Sequence, residues 1–175
     1  MERIAVVGTS GAGKICFSHR IAVAHDIPHV ELDSLYWGPN WNPVEADDFR
    51  KRVDDATIQQ AWVCDGNHRT VREIVWGRAD TIIWLDYPFW VVFFRALRRT
   101  FTRCYNNTTL YSNNRESFRK TFSRDSILLW VLKTYWKRRK EYSILFTSEK
   151  WSGINVIQLR STSEAAQFLN QHVDG

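Results

Sequence analysis

Cysteine is scarce in this chain, with three in 175 residues, and Cys16, Cys64 and Cys104 stand far apart and never in a C-x-x-C pair. An odd, scattered set excludes a disulfide framework and a zinc site built on paired thiolates, and it fits a reducing cytoplasm. Long apolar runs are missing as well. The most apolar stretch, residues 81 to 94, is interrupted by Asp86 and Pro88, and it falls short of the roughly 20 residues that a membrane helix needs. The opening Met1-Glu2-Arg3-Ile4-Ala5-Val6-Val7-Gly8 carries a short apolar run that breaks into glycines and a lysine. It lacks the long apolar region and small-residue cleavage site of an export signal. No internal repeat and no linker divides the chain. The expectation is a soluble, cytoplasmic protein with no membrane partner.

What is present is enough for a core. Hydrophobic residues make up 44% and aromatic residues 14% of the chain, which excludes a disordered chain and suits a single domain over residues 1–175. The net charge of +5 is unevenly spread: residues 95–140 hold 13 Lys/Arg against Glu116 and Asp125, a balance of +11 that leaves −6 for the rest. Three readings of that basic segment stay open at this point. It is a solvated helix face, a lid over phosphates at about residues 100–140, or a nucleic-acid surface carried by Arg115, Arg119, Lys120 and Arg124.

Ile4 to Val7 is a β-branched run ending at Gly8, the pattern of a buried parallel strand, and it feeds a glycine loop and a helix to about His25. Further strands are expected at 30–32, 61–64, 81–86 and 154–159, and helices at 45–60, 71–77, 88–103, 126–146 and 164–172. Residues 35–43, rich in Trp, Pro and Asn, read as a loop. Strand and helix alternate throughout, which calls for an α/β fold: a five-stranded parallel sheet with helices on both faces.

Gly8-Thr9-Ser10-Gly11-Ala12-Gly13-Lys14 satisfies G-x-x-x-x-G-K directly after a strand and at the start of a helix, the context that makes a P-loop credible. Its glycines let backbone N–H groups turn inward around phosphates, and Lys14 reaches the β- and γ-phosphates of ATP. The motif normally ends in Ser or Thr, whose hydroxyl ligates Mg²⁺. Here Ile15 and Cys16 follow, so the metal would be held by phosphates, water and carboxylates. Asp33, Asp65 and Asp86 each stand at the C-terminal end of a strand, where open α/β sheets bind ligands. A helix cap or a turn former would look the same.

With these features in view, the chain resembles the adenylate-kinase-like P-loop kinases, and within them the small DNA topology modulation proteins. The resemblance runs through residues 8–15, 31–37, 62–67, 83–88 and 156–161. It implies a nucleoside-monophosphate-kinase-like fold with a basic helical lid. The implied activity is transfer of the ATP γ-phosphoryl group to a nucleotide or small-molecule acceptor. Asp33 resembles the carboxylate facing the acceptor and the metal waters, and Asp65 the acid that organises Mg²⁺ through water. Arg69 takes the place of an arginine for the acceptor phosphate, with Trp37 and Asn67 lining the acceptor pocket. Arg95 and Arg99 fall four apart on one helix face, like the pair that flanks ATP, and Arg138 and Arg139 resemble a second set that closes with the lid. The alternative is a nucleotide-gated nucleic-acid-binding or regulatory protein whose P-loop turns over weakly.

Overall fold

The computed structural model describes residues 1–105 and 127–173. Arg115, Arg119, Lys120 and Arg124, on which the nucleic-acid reading rests, and the middle of the expected lid lie outside the described residues. Five strands, β1 (Arg3–Gly8), β2 (His29–Glu31), β3 (Trp62–Asp65), β4 (Thr81–Leu85) and β5 (Asn155–Leu159), form one parallel sheet in the order β2-β3-β1-β4-β5. The helices are α1 (Lys14–His25), α2 (Leu32–Tyr36), α3 (Ala46–Ala56), α4 (Arg72–Arg78), α5 (Phe89–Tyr105), α6 (Ile127–Phe146) and α7 (Thr162–His172).

Alternation along the strands builds two cores, one on each face of the sheet. Ile4 and Val6 of β1 face Phe17, Ile21 and Phe168, whereas Ala5 and Val7 face the layer that holds Trp62, Trp84, Tyr142 and Trp151. All of these side chains are buried. The register sets Val6 beside Asp65 and Gly8 beside Leu85, so the P-loop and the carboxylate of β3 emerge at the same edge. After β1 the chain runs outward past β3 to β2, and after β3 it crosses back past β1 to β4, so the ends of β1 and β3 flank a switch point where ligand crevices form.

Three expectations differ from the structure. Leu32, expected to end the second strand, instead opens α2, which runs through Asp33 to Tyr36 into the expected loop, and Pro39–Trp41 form a 3-10 turn. Helix α3 ends at Ala56, four residues before the expected end. Thr57 closes it by donating both its N–H and its hydroxyl to the Val53 carbonyl. The Ser161 hydroxyl caps α7 by accepting from Glu164 N–H.

Candidate active site

The loop between β1 and α1 is tight and leans on α5. Ala12 N–H donates to the Thr9 carbonyl at 3.0 Å, and Gly13 enters α1 from a left-handed conformation. Gly11 has φ +91°, and a Cβ there would lie 2.6 Å from the Val92 carbonyl oxygen and 3.1 Å from the Ala96 methyl. Only glycine fits that contact. Arg95 donates to the Ala12 carbonyl at 3.4 Å, and its guanidinium lies 5.5 Å from the Tyr87 ring centroid. It therefore braces the loop from α5.

Lys14 opens α1 under the electrostatic influence of both expected carboxylates. Burial pulls its ammonium below the usual lysine range, Asp65 and Asp33 pull it back up, and Arg138 and Arg99 add to the lowering. Asp65, Asp33, Arg138 and Arg99 therefore all act electrostatically on the P-loop lysine. Each carboxylate also has a histidine. Asp33 Oδ1 lies 2.8 Å from His68 Nε2, and buried Asp65 has Oδ2 2.7 Å from His29 Nε2. Desolvation alone would raise Asp33, but the His68 hydrogen bond, Lys14 and Arg99 outweigh it and hold the carboxyl below its usual value. The His68 ring packs against Tyr36 and Phe49, with centroids at 4.5 and 5.1 Å. Gly66, with φ +145°, lets the β3 loop approach Leu32 so closely that a Cβ would sit 2.7 Å from the Leu32 Cβ.

Asn67 fastens this loop to the P-loop. Its Nδ2 donates to the Gly8 carbonyl at 2.6 Å, and its Oδ1 accepts from Gly8 N–H at 3.2 Å and from the Tyr142 hydroxyl at 2.8 Å. Burial pushes the Tyr142 phenol up to about 12. Asn67, expected at the acceptor, is thus engaged with backbone.

Arg139 pairs with buried Asp86 at 3.0 Å, and Gln158 donates to the same carboxylate at 2.8 Å. Desolvation raises Asp86 despite those partners, and the pair joins α6 to the end of β4. Arg69 lies 3.3 Å from Glu141, which also holds Arg72 at 2.8 Å. Trp37 packs edge-on against Tyr36 and Trp41, in the turn where it bridges to Pro43. Ile15 is partly buried and Cys16 is exposed on α1. His29, Glu141 and Tyr142 are the site residues that the sequence reading did not single out, and no local pattern marks them.

This geometry can be set beside known proteins. The chain is similar to a gluconokinase from Sinorhizobium meliloti 1021, with 16% identity, a TM-score of 0.55, and coverage of 99% of this chain and 90% of that one. The fold is that of the P-loop kinases. A shikimate kinase from Acinetobacter baumannii solved in complex with shikimate matches at 16% identity and TM-score 0.54, covering 99% of this chain and 94% of that one. A shikimate kinase from Bacteroides thetaiotaomicron matches at 14% identity and TM-score 0.56, with 99% of both chains covered. At such identities the P-loop kinase fold is what these proteins share with the chain. No protein-family model and no curated protein sequence matches it. Among the described residues, no helix is long and apolar enough to cross a membrane, and no group of three or more His, Cys, Asp or Glu side chains is placed to hold a metal ion.

Proposed function

We propose that the protein is an ATP-dependent phosphotransferase acting on a hydroxyl group of a small molecule. The observation that carries this reading is the meeting of Lys14, at the mouth of the glycine loop, with a half-exposed Asp33 whose carboxyl is held ionised by His68 and Lys14. An ionised carboxylate in that place accepts a proton from an approaching hydroxyl. The acceptor oxygen forms its bond to the γ-phosphorus, the bond to the β-phosphate oxygen breaks, ADP leaves and the proton passes to Asp33. The P-loop amides and Lys14 bind the phosphates, and Arg99 and Arg138 add positive charge beside them.

A nucleotide acceptor would present an anionic phosphate oxygen instead. That needs cations facing it, and Arg69, the residue expected there, lines a cleft to which Lys14 and Asp33 do not belong. The hydroxyl acceptor is therefore the reading we favour, and the sugar and shikimate kinases that share the fold are in keeping with it.

Magnesium supplies charge neutralisation of the phosphates in this chemistry. Asp33 and Asp65 are hard oxygen donors that suit it through water. Cys16 is not such a donor, so the fit rests on the two carboxylates. The test is calorimetric titration of ATP on the natural protein and on Lys14→Ala, followed by a screen of polyols and hydroxy acids for ADP release. Lys14-dependent binding with acceptor-dependent turnover is expected. ATP binding that survives Lys14→Ala unchanged would overturn the reading.

A further inference from the structure

A second cleft opens on the other side of the Arg69–Val71 turn. It encloses about 410 Å³ and is lined by Arg50, Arg69, Thr70, Arg72, Glu73, Leu145, Lys150 and Trp151. None of these belongs to the P-loop, and neither Asp33, His68 nor Asp65 lines it. A volume of this size is in the range of small-molecule pockets.

Four cations reach the cleft from separate parts of the chain: Arg50 from α3, Arg69 and Arg72 from the turn and α4, and Lys150 from the segment before β5. Two carboxylates stand against them, Glu73 and Glu141, so the local balance is positive. Arg50 donates to a neutral acceptor, the Thr70 carbonyl, at 2.8 Å. Glu73, paired with Lys150, is largely exposed, and it rehydrates without hindrance when an incoming anion takes its place. One wall is apolar. Trp151 is buried and Leu145 half-buried, and the Lys150 ammonium sits 5.1 Å from the Trp151 ring centroid.

We propose that this cleft is a binding site for a small phosphomonoester, separate from the nucleotide site. Two features set that chemistry. Guanidinium groups match phosphate with paired donors and carry charge at every physiological pH. The Trp151 and Leu145 wall takes the less polar body that a phosphomonoester carries and inorganic phosphate lacks. The same turn connects the two sites, because Arg69 and Thr70 directly follow His68 and Asn67, which hold Asp33 and Gly8.

The test uses phenyl phosphate and inorganic phosphate as probes, titrated by calorimetry with the P-loop filled by a non-hydrolysable ATP analogue and again without it. Phenyl phosphate is expected to bind one site in both conditions, more tightly than inorganic phosphate. Lys150→Glu, an exposed position, and Arg50→Ala should each weaken that binding by about tenfold, and Lys14→Ala should leave it unchanged. The circular dichroism and melting curve of Lys150→Glu report whether that variant folds. Binding that disappears with Lys14→Ala or with the ATP analogue would show that the probe enters the P-loop, and it would overturn the proposal. So would equal binding by natural protein and Lys150→Glu. Because the P-loop variant is scored separately, failure here leaves the phosphotransferase reading standing, and the reverse also holds.

Discussion

Asn67 grips Gly8 by both polar groups of its backbone, donating to the carbonyl at 2.6 Å and accepting from the N–H at 3.2 Å. Two hydrogen bonds from one half-buried amide hold the end of β1 against the loop that follows β3. Asn67→Ala is expected to cost about 1–3 kcal/mol, since it leaves two backbone groups without these partners. Tyr142→Phe, which removes only the third bond to the same amide, should cost about 1 kcal/mol. Urea denaturation of both variants checks the order, and equal losses would show that Asn67 does not organise the loop.

Gly11 gives a sharper case. Alanine there must adopt φ +91° with its methyl 2.6 Å from the Val92 carbonyl oxygen, so strain and overlap add. Gly11→Ala should lose about 3 kcal/mol or more, together with ATP binding. A melting temperature equal to that of the natural protein would contradict the packing of α5 on the loop.

Lys14 should behave in the opposite sense. Its ammonium is held below the usual lysine range chiefly by burial, so the folded state disfavours its charge and stability rises as pH climbs from the folded value toward the unfolded one. Lys14→Met is expected to abolish ATP binding while holding or raising the melting temperature at pH 7. A large loss of stability would mean that the neighbouring carboxylates depend on the lysine more than burial penalises it.

Asp33→Asn tests the proton acceptor. Asparagine can keep a hydrogen bond to His68 but cannot take a proton, so kcat should fall by about 10²–10⁴ with the affinity for magnesium-free ATP and the melting temperature little changed. Unaltered turnover would move the proton acceptor elsewhere.

Acid stability should report Asp80. Desolvation works to raise this carboxyl, but the N–H groups of Arg3 and Glu2 and the Thr81 hydroxyl hold it below the usual carboxylate range. The ionised form therefore stabilises the fold at neutral pH, and that contribution disappears as pH falls through the folded value. Asp80→Asn should cost about 1 kcal/mol at pH 7, and the gap should narrow as pH drops below 3.8. A gap constant from pH 7 downward would exclude the linkage.

The parts of this site that could be read from sequence are those whose partners are local. Gly8 to Lys14 is a contiguous run, and Asp33 and Asp65 follow their strands directly, so spacing alone marks them. His29 does not announce itself, because it reaches Asp65 across 36 residues; His68 is marked by its place beside Asn67, but its partner Asp33 lies 35 residues away. Tyr142 is 75 residues from Asn67, and Arg139 is 53 from Asp86. A helix face rich in Lys and Arg reads as one basic surface until folding shows which arginines are already paired. Helix α2 was hidden for another reason: Leu32 to Tyr36 is a single short turn, too brief for periodicity to register before the turn residues that follow it.

Arg139, Glu141 and Tyr142 tie one stretch of α6 to three different places: the end of β4, the start of α4 and the loop after β3. A rod fastened at three points around its girth neither slides along its axis nor rolls about it. One turn earlier the Tyr135 hydroxyl donates to the Tyr87 carbonyl at 2.9 Å, so this stretch of α6 is held to the sheet over two turns, and from Tyr142 the phosphate loop is only two hydrogen bonds away, through Asn67 to Gly8.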